Sequence, residues 1–215
     1  MTMEPPHQRR SRKARLFIAV DIPEALKRRL EEVKKVMERR MKNHVEDVRW
    51  TEPYSWHITL LFIGEVDEEI IPLIVRKVEK VAEKFEEFTL RAERLGWAPP
   101  FQKASGIPRY RMLWTYFSEN DAIRTLAMSL YLALRKDVEG LEKPRIPFYP
   151  HVTLARFRWT KASALPTLES LAWMNSFPVK SMVLWESRLR AVSQRYLRLQ
   201  EFPLGISASR QKAAG

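Results

Sequence analysis

The chain has 215 residues, 45% of them hydrophobic and 30% charged, which is the balance of a globular protein and excludes a disordered or fibrous one. It has no apolar run near the roughly 18 residues of a membrane span, no apolar stretch typical of a secretory signal, and no cysteine for disulfides or thiolate metal sites. The net charge of +12 favours a polyanionic partner, most often nucleic acid, with a generically basic surface as the alternative. We therefore expect a cytoplasmic protein without a membrane partner.

The first half of the chain alternates strand and helix patterns. A basic arm over residues 1–14 is predicted to be a flexible tail, and RLFIAV (15–20) is predicted to be a strand. Asp21 is a candidate helix cap, and apolar residues then recur at steps of three and four, as in an amphipathic helix: Leu26, Leu30, Val33, Met37 and Met41. Further predictions follow in chain order: DVRW and WHITLLFI as strands, a helix capped by Asp67, and FTLRAERLGW (88–97) as a strand.

The second half repeats this order after a proline-rich stretch, 98–111, that predicts an irregular loop. The predicted elements are RMLWTYF (111–117) as a strand, a helix capped by Asn120, FYPHVTLARF (148–157) as a strand, LPTLESLAWM (165–174) as a short helix, and FPVKSMVLWESRL (177–189) as a strand. A closing strand, QRYLRLQEF (194–202), has no counterpart in the first half.

The two halves, about 15–97 and 111–190, therefore read as an internal duplication. Equivalent strands are offset by about 96, 94 and 90 residues. We expect an α+β protein with two pseudo-symmetric lobes, each a small, mostly antiparallel sheet with helices on one face. Together they form one domain over 15–204, followed by a flexible C-terminal tail over 205–215.

The clearest functional signal is a motif that occurs twice: HITL at residues 57–60 and HVTL at 151–154. Side chains alternate along a strand, so each histidine shares a face with the threonine two residues later, while the apolar residues point into the core. If the lobes are related by a rough twofold axis, the two polar faces line one cleft.

Two imidazoles and two hydroxyls around one site suit phosphoryl chemistry. With ordinary pKa values of about 6.5, one ring can accept a proton near neutral pH while the other donates one. Opening a 2′,3′-cyclic phosphate needs that division, and threonine hydroxyls can donate hydrogen bonds to the oxygens on which charge develops. The strained ring supplies driving force, so no metal or other cofactor is required.

Two other interpretations of the histidines are weaker. A single such histidine is more often a hydrogen-bonded, partly buried ring, but duplication at equivalent positions argues against this for the pair. Zinc needs a third protein ligand at useful spacing, and none is evident.

These residues resemble the RNA 2′,3′-cyclic phosphodiesterases, historically called 2′–5′ RNA ligases, of the two-histidine phosphoesterase superfamily. The resemblance covers about residues 15–204 and rests on the paired motifs and on RLFIAVDIP, HITLLFIGEV, FYPHVTLARF and FPVKSMVLWESRL…RYLRLQEFPL. It implies a bilobal, pseudo-symmetric α+β fold with a central cleft. It also implies metal-independent opening of RNA 2′,3′-cyclic phosphate ends to 2′-phosphates.

The resemblance also implies roles for individual residues. His57 and His151 are the acid–base pair, with His57 as proton donor and His151 as proton acceptor, and Thr59 and Thr153 bind phosphate. Arg156 matches an arginine of the second motif and is expected to contact substrate. Its parity is opposite to that of His151, so the strand must end or bulge near Ala155. Phe148 could stack on a base or pack at the lobe junction.

Other functions remain open at this point. The same pair could join RNA halves through a 2′–5′ linkage, or the protein could bind RNA without catalysis. We expect a monomer whose partner is RNA with a 2′,3′-cyclic phosphate end, with tRNA halves among the candidates.

Overall fold

The computed structural model describes residues 12–99, 107–118, 120–168, 176–189 and 194–205. Within these ranges lie three α-helices and nine strands. They are β1 (Lys13–Asp21), α1 (Glu24–Met41), β2 (Arg49–Trp50), β3 (His57–Asp67), α2 (Ile71–Ala82), β4 (Phe88–Ala98), β5 (Arg109–Phe117), α3 (Asp121–Leu134), β6 (His151–Lys161), β7 (Ser176–Val179), β8 (Ser181–Leu189) and β9 (Gln194–Pro203).

The strands form two antiparallel sheets. The first sheet has the order β3-β1-β8-β9 and the second has the order β2-β6-β5-β4-β7. β3, an edge strand of the first sheet, also contacts β6 of the second. One contiguous apolar core joins both sheets to the helices. The predicted α+β class with two small antiparallel sheets is confirmed.

Each sheet contains strands from both halves of the chain. β1 pairs with β3 and with β8, while β5 pairs with β6 and with β4. The third strand of each half is thus exchanged into the other half's sheet, which the sequence pattern did not predict. Strands that are consecutive in the chain tend to pair with each other, and β4 accordingly pairs with β5 in the second sheet.

The helices bury the faces that their apolar periodicity predicts. In α1 the buried residues are the five expected ones: Leu26, Leu30, Val33, Met37 and Met41. The Asn120 side chain caps α3 by accepting a hydrogen bond from the Ala122 backbone N–H at 2.7 Å.

Neither aspartate that was predicted as a cap makes a capping hydrogen bond with its side chain. Asp67 does flank the N-terminus of a short 3-10 helix, Glu68–Ile70, which continues into α2 at Ile71. Asp21 does not cap α1, whose N-terminal flanking residue is Pro23. The Asp21 carboxylate instead pairs with Arg198 at 3.0 Å.

The predicted strand over 177–189 is two strands in different sheets. β7 pairs with β4 at the edge of the second sheet, and β8 pairs with β1 in the first, with Lys180 between them. Pro178 fits β7 because an edge strand can lack one donor. The helix predicted over 165–174 falls mostly outside the described residues, and 165–168 are not helical. The predicted tails over 1–14 and 205–215 also lie largely outside, although β1 begins at Lys13.

The helix-to-core packing can be tested on α3, where a buried and an exposed leucine lie two residues apart. Leu130 is fully buried, whereas Leu132 is 53% exposed. Leu130→Ala should lower the free energy of unfolding by roughly 2–5 kcal/mol, because the deletion leaves a cavity. Leu132→Ala should change it by less than about 0.5 kcal/mol. Urea denaturation measures both, and equal losses would contradict this packing.

Candidate active site

The two motif strands have the same local structure. His57 is the first residue of β3 and His151 the first of β6, and each strand has 11 residues. Their first seven residues share one burial pattern: the histidine and the threonine are half-buried, the second, fourth, fifth and seventh residues are buried, and the sixth, Phe62 or Arg156, is exposed. The predicted division into a polar face and an apolar face is confirmed. We call the surface that carries the two histidines and two threonines the cleft face.

A bulge follows each threonine. In the β1–β3 ladder Ala19 pairs with Thr59 and Ile18 with Leu61, so Leu60 is skipped. In the β5–β6 ladder Leu154 is skipped in the same way. The extra residue reverses the alternation and brings the exposed residues Phe62 and Arg156 onto the cleft face. The bulge predicted near Ala155 is therefore present.

Both histidine rings are held in the same orientation by their own backbone. The Nδ1 atom of His57 lies 2.7 Å from the Ser55 carbonyl oxygen, and that of His151 lies 2.8 Å from the Tyr149 carbonyl oxygen. A carbonyl oxygen only accepts, so each Nδ1 carries the hydrogen and donates it. In the neutral ring Nε2 is then unprotonated and is the atom available for proton transfer.

Burial gives both rings low proton affinity. It lowers the pKa of His57 to about 4 and that of His151 to about 4, although the hydrogen bonds to the backbone carbonyls act in the opposite direction. The positive charge of Arg156 lowers both pKa values further, and a charge on His151 also lowers that of His57. The three groups therefore share one electrostatic environment. Without a bound anion, both imidazoles are neutral at pH 7.

Different aromatic rings surround the two histidines. Trp114 is stacked on His151, with ring centroids 3.6 Å apart and planes at 15°. His57 instead contacts Phe17 at 4.8 Å and the edge of Tyr196 at 5.2 Å. Sequence reasoning assigned a site role to neither Trp114 nor Tyr196. The only feature of the sequence that distinguished Tyr196 was its place in the closing strand (194–202), which has no counterpart in the first half of the chain.

The segment before His57 is hydrogen-bonded to β6. β2 pairs with β6 through Arg49–Arg156 and Trp50–Ala155. The next residue, Thr51, donates its backbone N–H to the Leu154 carbonyl oxygen at 2.9 Å, which anchors it to the bulge.

The Thr51 side chain reinforces this link. Its hydroxyl oxygen lies 2.6 Å from the Thr153 carbonyl oxygen and 2.9 Å from that of Leu154. The buried Trp56 indole, immediately before His57, donates to the same hydroxyl oxygen at 2.8 Å. The position of His57 is thereby tied to the strand that carries His151.

Arg156 is a cation on the cleft face. Its Nη1 lies 3.2 Å from the Met112 sulfur, and among the described residues it forms no ion pair with a carboxylate. Besides acting on both histidines, its charge lowers the pKa of the Tyr196 hydroxyl, which burial raises. Arg156 is therefore available for an anion beside the imidazoles.

Phe148 is half-buried and packs against the core, whereas Phe62 is 65% exposed on the cleft face. Phe62 occupies the position in the first motif that Arg156 occupies in the second. Sequence reasoning did not single it out, although the duplication itself marks this position.

Within the described ranges, no three histidine, aspartate or glutamate side chains come together as metal ligands. No helix in those ranges is long and apolar enough to cross a membrane.

Comparison with known proteins identifies the family. Residues 20–107 match the model of the LigT-like phosphoesterases. The chain is 31% identical to an RNA 2′,3′-cyclic phosphodiesterase of Thermus thermophilus, over 94% of this chain and 96% of the relative. It is also 31% identical to a protein of the same name from Archaeoglobus fulgidus, over 67% of this chain and 73% of the relative.

Solved structures show the same fold. The structure of TT0787 from Thermus thermophilus superposes with a TM-score of 0.72 and 25% identity, over 89% of this chain and 98% of that one. Escherichia coli LigT in complex with 3′-AMP gives a TM-score of 0.65 at 24% identity, over 90% of this chain and 99% of that one. The resemblance found in the sequence is confirmed: the chain belongs to the LigT-like phosphoesterase family.

Proposed function

We propose that the protein hydrolyses the 2′,3′-cyclic phosphate at RNA ends to a 2′-phosphate by a two-histidine acid–base mechanism without a metal. One observation carries this proposal. Two imidazoles with matched Nδ1 hydrogen bonds lie in one environment with Arg156, and each has a threonine two residues along its strand. The names of the relatives agree with an RNA cyclic phosphate as substrate.

The proposed reaction is one displacement at phosphorus. Water attacks the phosphorus atom and loses a proton to one Nε2, while the bond from phosphorus to O3′ breaks and O3′ takes a proton from the other Nε2. Water adds across the broken bond, which leaves a 2′-phosphate and a free 3′-hydroxyl. The two rings have then exchanged roles, and solvent restores their protonation.

We assign His151 as the base and His57 as the acid. A base gains positive charge in the transition state, and the face of Trp114 stacked on His151 stabilises an imidazolium. An acid loses charge, which suits His57 because the charge forming on His151 disfavours its protonated form.

Charge on the phosphate is met by Thr59, Thr153 and Arg156. The hydroxyls donate to the nonbridging oxygens, and the guanidinium supplies a positive field where negative charge increases. We assign the terminal base to the exposed ring of Phe62 rather than to Phe148, which packs against the core.

The first test is turnover of adenosine 2′,3′-cyclic phosphate in EDTA. We expect adenosine 2′-phosphate as the product, and losses of roughly 10²–10⁴-fold in kcat for His57→Ala and for His151→Ala, because each removes a proton-transfer group. His44→Ala, which changes an exposed histidine just beyond α1, is the matched control and should retain full activity. A protein that binds RNA without catalysis would give no product with any of these chains.

A second test uses the low pKa of both imidazoles. At pH 7 a ring with a pKa of about 4 is protonated in roughly one molecule in a thousand, so the free enzyme rarely holds the acid form. A bound phosphate anion favours the imidazolium and raises its pKa. Activity that needs the protonated acid is lost as pH rises through the pKa of that acid. Because kcat/KM depends on the free enzyme and kcat on the substrate complex, kcat/KM should fall at lower pH than kcat.

The two pH profiles should be separated by about one unit or more, because one charge at close range shifts a pKa by that much. Steady-state kinetics between pH 4 and 9 would measure both, with His44→Ala as control. If kcat and kcat/KM fell at the same pH, substrate binding would not be raising the pKa of the imidazole that acts as the acid.

A further inference from the structure

An arginine lies on the cleft face beyond the histidines. In β1, Leu16 and Ile18 are buried in the core, so Arg15, Phe17 and Ala19 point to the opposite face. Ala19 pairs with Thr59 of the first motif. Arg15 is exposed and lies four residues further along the strand, about 14 Å from Ala19 at about 3.4 Å per residue.

Tyr196 lies between this arginine and the reacting groups. Its half-buried ring meets Phe17 edge-on at 5.0 Å and His57 at 5.2 Å. The charges of Arg156 and Arg15 both lower the pKa of its hydroxyl, against the burial that raises it. Arg156 also acts on both histidines, whereas Arg15 is not among the charges that shift them. Tyr196 therefore contacts His57 and lies within electrostatic reach of both Arg156 and Arg15.

Arg15 forms no ion pair with a carboxylate within the described part of the chain. Glu65 is its cross-strand neighbour on β3, but no ion pair joins the two. Two other arginines of this sheet are paired: Arg198 with Asp21 at 3.0 Å, and Arg188 with Glu186 at 2.8 Å. Arg15 is thus a second cation available for an anion on the cleft face.

We infer that Arg15 and the Tyr196 hydroxyl bind the 5′-phosphodiester of the terminal nucleotide, so that the site favours RNA ends over free cyclic mononucleotides. This inference rests on the proposed function. The terminal ribose of such an RNA carries two phosphates, the cyclic one at O2′ and O3′ and the diester at O5′, whereas a free 2′,3′-cyclic nucleotide carries only the first. A guanidinium and a phenol hydroxyl both donate hydrogen bonds to phosphate oxygens.

The test compares two ligands that differ by this phosphate alone. We expect adenosine 2′,5′-bisphosphate to bind the full chain at least about tenfold more tightly than adenosine 2′-phosphate, since a charged hydrogen bond contributes at least this much. Calorimetry measures both Kd values at one salt concentration. Arg15→Gln should abolish the preference, Arg15→Lys should restore part of it, and Tyr196→Phe should reduce it.

Lys80→Gln is the matched control, because it removes one positive charge from an exposed position on α2. It should leave the ratio of the two Kd values unchanged. Equal Kd values in the unmodified protein, or a preference that survives Arg15→Gln, would overturn the inference. Turnover of adenosine 2′,3′-cyclic phosphate is measured separately, so failure of the subsite and failure of the proposed hydrolysis are distinguishable.

Discussion

The hydrogen bonds of Thr51 to the bulge of β6 are the contacts on which the site depends. His57 and His151 begin strands in two different sheets, and nothing in either strand alone brings the rings together. Thr51 binds the carbonyl groups of Thr153 and Leu154, while Trp56 binds Thr51 immediately before His57. The bulge itself turns Arg156 to the cleft face. The bulge of β6 therefore positions the Arg156 guanidinium and also, through Thr51 and Trp56, the segment that leads to His57.

Burial of the two histidine rings also affects the chemistry of the site. It lowers the pKa of both imidazoles, so the rings are neutral at pH 7, and beside them lies the Arg156 guanidinium, which forms no ion pair with a carboxylate of the described residues. In the proposed mechanism, binding of an anionic phosphate favours protonation of the imidazole that acts as the acid. The proposal therefore couples activation of the acid to substrate binding through one electrostatic effect.

Much of this was predictable from the sequence because it follows from local periodicity. The apolar repeat gave the buried face of α1, and alternation in HITL and HVTL gave the polar pairs. The parity of Arg156 required the strand to end or to bulge near Ala155. The strand exchange and the contacts of Trp114 and Tyr196 depend on which strands pair across the two sheets, and no local pattern encodes that. The low pKa values likewise depend on tertiary burial, so the ordinary value of about 6.5 was a poor guide.

The proposed mechanism requires that both rings carry hydrogen on Nδ1 and direct Nε2 to one shared phosphate. Nitrogen-15 NMR of the imidazole side chains tests it most directly, before and after addition of adenosine 2′-phosphate. We expect the Nδ1–H tautomer for His57 and His151 in the free protein, and a change at both Nε2 atoms over one binding curve. Nε2–H tautomers, or a response from one ring only, would contradict it.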